Sequence, residues 1–353
     1  MVKAPSQMSR HNERLVAIWL FVIAGFVTCM VVVGGLTRLT DSGLSITEWQ
    51  PILGAIPPLS HQDWLIALEK YRKIPEYQLI NKGMSLEDFQ FIYWWEWGHR
   101  FLGRIIGIVF LIPFLFFLFT KRLSVQLIWP LLALFILGGL QGAMGWYMVK
   151  SGLVDRLDVS QYRLAAHFSL ALVIFAYSLW LGLSLWRQGS SVPAFGRRVV
   201  FGGLIVVCIF LQAAMGAFVA GTDAGMTYNT WPLIDGQVIP SGLYGETGGM
   251  RDAFEHHLTI QFNHRMMAYF LIILVLAEVF LNYRRGEHPQ TIRSASYLGI
   301  SVVVQSFIGI LTLLWVMPIE LAALHQFMAV IVLGFGILHL NNLRFHRQAI
   351  ASI

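Results

Sequence analysis

The chain has 353 residues, of which 56% are hydrophobic and 12% charged, with a mean hydropathy of +0.64. A soluble domain carries about 25% charged residues, so the composition excludes one and reads as an all-α integral membrane protein. The net charge of +6 does not signal nucleic acid, because the basic residues sit in short loops and form no contiguous stripe.

The N-terminal stretch "MVKAPSQMSRHNER" is polar and basic. No small-residue cleavage site follows the first apolar run at 15–36, so that run reads as a retained span and not a signal peptide. A long loop, 37–98, comes next. Within it "SHQD" (60–63) and "SLED" (85–88) fit Ser-x-x-Asp helix starts, which predicts short amphipathic helices lying over one membrane face. Seven more apolar runs follow, at about 101–120, 126–146, 164–186, 199–220, 264–282, 296–316 and 322–340. Each approaches the ~20 residues that cross a bilayer. Cys29 and Cys208 both lie inside apolar runs and no CxxC occurs, so neither a disulfide framework nor a thiolate metal site is expected.

Eight spans sort the loops into two alternating sets. One set, which includes both termini, holds 13 Lys and Arg against two acidic residues; the other holds nine against 16. The positive-inside rule therefore places both termini in the cytoplasm and the two long loops, 37–98 and 221–263, outside.

The chain also repeats itself. "GGLTRLTDSGLSITEW" (34–49) aligns without a gap to "GAFVAGTDAGMTYNTW" (216–231). His99-Arg100 matches His264-Arg265, Gln141 and Gly145 match Gln305 and Gly309, and His167 matches His325. The expected architecture is two four-helix bundles related by a pseudo-twofold axis along the membrane normal. Their boundary falls in the inner loop 187–198, giving domains of 1–190 and 191–353. The repeated Thr-Asp-x-Gly at Asp41 and Asp223 reads as turn chemistry.

Four of the 11 histidines, His99, His167, His264 and His325, fall near the outer ends of even-numbered spans, two in each half. Polar groups inside apolar spans are costly and mark function. A pair of histidines on facing helices can hold a haem by both axial positions, so two bundles predict two haems. Zinc and a proton relay stay open as weaker readings. Arg100, Arg265 and Arg104 suit haem propionates or helix-end anchoring. The remaining histidines, His11, His61, His256, His257, His288, His339 and His346, are expected to be solvated or interfacial.

Three residues before His99 stands Glu96; three before His264 stands Gln261. Glutamine is expected to keep the shape and hydrogen bonding of the site without its charge. On that reading the first half could perform proton-coupled chemistry and the second only hold a haem and pass electrons; the alternative is that Glu96 is a solvated loop end or a helix N-terminal charge favoured by the dipole.

"GGLTRLTDSGLSITEWQPILGAIPPL", the Glu-x-x-His-Arg at 96–100 and the four outer-side histidines together resemble the haem A synthase family over nearly the whole chain. The resemblance implies oxidation of the C8 methyl of haem O to a formyl group through successive hydroxylations, giving haem A. It implies that His99 and His167 flank the substrate haem, that His264 and His325 bind a haem b cofactor, and that Glu96 is the acidic residue needed at the catalytic site. It further implies residence in the cell inner membrane amid lipid, supply by a haem O synthase, delivery to terminal oxidase assembly, and an electron donor the sequence does not identify. A homo-oligomer is compatible with it. Residues 37–98 contain no cysteine, so the chain resembles the cysteine-free proteobacterial and mitochondrial-like branch. A di-haem b-type electron-transfer protein, such as a quinol-linked reductase, and a haem-carrying assembly protein are the competing expectations.

Overall fold

The computed structural model describes residues 9–153, 158–187, 196–245 and 249–345. Among them the chain is helical. Eight helices are long and apolar enough to cross a membrane: α1 (Arg10–Leu39), α4 (Leu86–Phe119), α5 (Val125–Gly152), α6 (Gln161–Trp186), α7 (Arg197–Gly221), α9 (His257–Arg284), α10 (Pro289–Leu314) and α11 (Ile319–Phe345). Three short helices, α2 (His61–Tyr71), α3 (Pro75–Leu79) and α8 (Asp252–Glu255), lie in the two long loops.

The "SHQD" start behaves as expected. Ser60 caps α2 in a full capping box with Asp63, whose backbone N donates to Ser60 and whose carboxylate accepts from the Ser60 N. "SLED" does not begin a separate surface helix. Ser85 caps α4 itself, which runs 34 residues without a break into the second span. At 1.5 Å per residue that helix is about 51 Å long and outreaches the ~30 Å hydrocarbon core. Glu96 and His99 therefore sit three apart on continuous helix, one turn of the same face.

Among the described residues the chain divides into two compact units, one formed within 25–174 and the other within 9–24 and 175–345. In the first, the long loop after α1 builds its own apolar core: Trp64, Leu68 and Tyr71 of α2 pack with Tyr77 of α3 and with Phe89 and Ile92 of α4. In the second, α7, α9, α10 and α11 close a ring, each helix packing on the next. Both long loops leave their spans through an aspartate in the left-handed region, Asp41 (φ 49°) and Asp223 (φ 53°). Aspartate is among the few residues that tolerate this conformation, which gives the repeated Thr-Asp-x-Gly its turn role.

One histidine expected at the surface is instead buried. His339, 1% exposed on α11, lies with Nε2 3.0 Å from Glu278 Oε1 of α9 and Nδ1 3.0 Å from Ser294 Oγ of α10. Asn282 donates to Glu278 (2.7 Å) and accepts from Arg198 of α7 (2.6 Å), which also pairs with Glu287 (2.6 Å). Four helices are thus joined by polar contacts, and a single-residue reading of His339 had no view of its partners on other helices. His256 touches Thr259 and His288 caps α10, His11 and His61 are exposed, His257 is intermediate, and His346 lies outside the described residues.

Candidate functional site

Each long loop is clamped to a His-bearing helix by the arginine that follows the histidine. In the first half Arg100 Nη2 donates to the carbonyl of Ile46 (2.8 Å) and Nη1 to that of Glu48 (3.0 Å). In the second, Arg265 Nη2 donates to Tyr228 O (2.9 Å) and Nη1 to Thr230 O (2.8 Å). In the repeat alignment Ile46 and Glu48 are the counterparts of Tyr228 and Thr230, so the clamp is copied position for position. Arg104 adds a second clamp in the first half, to the carbonyls of Gln50 and Pro51 (both 2.9 Å). Arg100 and Arg104 line a cleft of about 290 Å³ together with Lys70, Glu48 and Tyr93.

Glu96 and Gln261 occupy the same place and bond in opposite senses. Glu96, 2% exposed, accepts at Oε2 from Ser45 Oγ (2.8 Å) and the Ile46 N–H (2.7 Å). At Oε1 it accepts from Arg100 Nε (3.1 Å) and Nη2 (2.6 Å). Gln261 Oε1 likewise accepts from Arg265 (2.6 Å), but its amide nitrogen donates to the carbonyls of Ala224 (2.5 Å) and Thr227. The loop offers an N–H and a hydroxyl to the glutamate and carbonyls to the glutamine. The expectation that Gln261 preserves the hydrogen bonding of Glu96 therefore fails on the loop side: the backbone there has turned to match the side chain.

The four histidines stand where the repeat put them, His99 on α4, His167 on α6, His264 on α9 and His325 on α11. Within each half the two imidazoles lie close enough to interact electrostatically, His99 with His167 and His264 with His325. All four are half-buried and keep accessible surface. Every ring rests on a glycine of the preceding span. A Cβ at Gly34, Gly145, Gly216 or Gly309 would stand 3.0, 3.1, 3.2 or 2.7 Å from the nearest ring atom of His99, His167, His264 or His325. Any side chain there would displace the imidazole.

Four residues before three of these glycines stands a glutamine whose Nε2 touches the ring: Gln141 at His167 (3.2 Å to Nδ1), Gln212 at His264 (3.1 Å to Nδ1) and Gln305 at His325 (3.5 Å to Nε2). Sequence reading paired Gln141 with Gln305 and missed Gln212. The signal was available as Gln-x-x-x-Gly on α5, α7 and α10. The carboxamide oxygens of all three glutamines, and His325 Nδ1, are buried without a partner.

Among the described residues no group of three or more His, Cys, Asp or Glu converges on one point. Two imidazoles alone leave a tetrahedral zinc shell half empty. They suit a metal that brings its own four equatorial ligands, as haem iron does. The glycine seats fit that use, because they hold each ring against a helix. Nε2 now faces each ring; with the carboxamide turned over, the partnerless oxygen would accept from an imidazole N–H whose other nitrogen binds iron.

Residues 17–337 match the family described as COX15-CtaA, cytochrome oxidase assembly protein. A protein of Parvibaculum lavamentivorans (strain DS-1) named heme A synthase is 49% identical over 332 residues, covering 94% of this chain and 95% of that protein. Proteins of the same name from Chelativorans sp. (strain BNC1) and Bradyrhizobium sp. (strain ORS 278) are 48% and 47% identical, covering 94% and 97% of this chain and 91% and 95% of their own length.

Proposed function

The chain belongs to the COX15-CtaA family of cytochrome oxidase assembly proteins, and from that premise we propose that it is a haem A synthase, a multi-pass membrane oxidoreductase that converts haem O to haem A. The substrate is haem O, held in the first half between His99 and His167, and the reaction oxidises its C8 methyl to a formyl group. The second half holds a haem b cofactor between His264 and His325. The observation that carries this reading is the repeated corner: one geometry, built twice, with a carboxylate in the first copy and an amide in the second.

A bound haem b supplies one-electron transfer. The protein's own residues do the rest. Gly34 and Gly145 seat the substrate-side imidazoles, and Gly216 and Gly309 the cofactor-side pair. Arg100 and Arg265 fasten the two long loops to the histidine-bearing helices. Glu96 holds its carboxylate one turn from His99 and shares a hydrogen bond with the Ser45 hydroxyl, which offers a proton route at Oε2. Gln261 cannot bind or release a proton at that place, which confines the second half to holding haem and passing electrons. The inner membrane as location, haem sites toward its outer side, supply from a haem O synthase and delivery to oxidase assembly belong to this reading.

The test is to express the chain with a haem O source and analyse acid-extracted haems. Formyl haem with the intact protein, lost in E96Q while haem content persists, is the expected result. Two b-type haems and no formyl product would refute the synthase and leave an electron-transfer protein.

A further inference from the structure

Three of the four histidines carry a glutamine; His99 does not. The position four residues before Gly34 is Met30. Its side chain points at the His99 helix as the glutamines point at theirs, since a Cβ at Gly103, one turn beyond His99, would stand 3.5 Å from Met30 Cε. A thioether offers the imidazole almost no hydrogen bonding. Among the described residues the His99 ring has no hydrogen-bond partner.

The ring is also turned differently. At His167, His264 and His325 the atom nearest the glycine is Cε1, with Nδ1 next. At His99 it is Nε2, 3.0 Å from the place of a Gly34 Cβ, with Cε1 at 3.4 Å. Three rings share one orientation beside a carboxamide, and the fourth departs from it where the carboxamide is missing.

Outer partners of a metal-bound histidine fix its ring and raise its strength as a ligand; losing one costs about 10–100-fold in metal affinity. We infer that His99 is the releasable iron ligand of the substrate haem, that Met30 is the positioning residue that makes it so, and that the reacting face of the haem is the one beside His99 and Glu96. The inference rests on the proposed haem binding and adds which face opens. The same side then carries the weak ligand and the carboxylate, whereas His167, tied to Gln141 through ring and backbone carbonyl (3.1 Å), stays fixed. In the second half both ligands have their glutamine, as suits a haem that keeps both ligands while it passes electrons.

The test uses the purified protein with the haem it carries, reduced and exposed to carbon monoxide, which binds only where an axial ligand leaves. Haem per protein is counted in parallel. The wild type is expected to bind carbon monoxide at the first-half haem alone. M30Q should slow that binding about tenfold with haem content unchanged. H99A should keep a carbon-monoxide-reactive haem through His167, whereas H167A should lose it. Haem present in the first half with equal carbon monoxide binding in wild type and M30Q overturns the inference and leaves the function standing, as does a reversed H99A and H167A pattern. A first half that never carries haem overturns both.

Discussion

Placing a methyl group on Gly309 probes the seat of an imidazole directly. The new Cβ would stand 2.7 Å from His325 Cε1 and 3.2 Å from Nδ1, against the ~3.5 Å at which heavy atoms rest comfortably. About 0.8 Å must be found. α10 and α11 are the most extensively packed helix pair in the molecule, so the ring is expected to yield before the backbones part. Overpacking of this kind costs about 1–3 kcal/mol, and alanine in a helix interior returns about 1 kcal/mol relative to glycine. G309A should therefore lose at most about 2 kcal/mol of stability, small beside its effect on the ligand, which is moved off its axis. G203A on α7 is the control, since nothing lies within 4 Å of its added Cβ. Thermal unfolding in detergent, haem per protein and the low-spin haem spectrum together make the assay. G309A should fold and lose haem, while G203A should gain slightly in stability and keep it. If G309A retains haem with a wild-type low-spin spectrum, the glycine is not a seat for the imidazole.

Glu96→Gln removes the charge from a pair with Arg100 at 2.6 Å and should loosen the loop segment around Ser45 and Ile46 by about 1.5–3 kcal/mol, read by thermal unfolding, while formyl haem is expected to disappear from the extract. Gln261→Glu points a carboxylate at the carbonyls of Ala224 and Thr227 and should destabilise by about 1–3 kcal/mol; a variant as stable as wild type would mean that this loop can turn its N–H groups inward as the first one does. His339→Leu removes one of the two partners of Glu278 Oε1, leaving Asn282, and should cost about 1–3 kcal/mol, part of it recovered when Glu278 also becomes Leu, as urea or thermal unfolding will show. Glu76, in α3 outside the spans and 6% exposed, has its carboxyl pushed up to about 8, first by burial and then by the charges of Asp41 and Glu96. The folded protein then holds a proton that the unfolded chain releases above about 4.5, so this residue's contribution falls as pH rises from about 4.5 to 8 and is constant beyond. Glu76→Gln should flatten that slope, making the variant the more stable form at pH 8 and nearly equal to wild type at pH 4.

Periodicity and hydropathy were enough to find all eight spans, because a bilayer demands apolar runs of one length. The repeat placed the histidines in pairs, because duplication preserves spacing. What stayed hidden depends on partners far apart in sequence. His339 looked like a surface residue until Glu278, 61 positions away, appeared beside it. The role of "SLED" turned on whether the chain breaks before the second span, and nothing between Leu86 and Phe101 breaks a helix. The opposed bonding of Glu96 and Gln261 is set by loop backbone direction, which side-chain identity does not report.

The arginine clamp bears on how the two halves came to differ. Arg100 and Arg265 grip carbonyl oxygens, which every amino acid carries. The gripped segments, Ile46-Thr47-Glu48 and Tyr228-Asn229-Thr230, are identical at no aligned position. A duplicated loop anchored in this way can change its side chains freely while its attachment survives. Two copies of such a loop could thus diverge in every side chain of the gripped segment while each stayed fastened to its own helix.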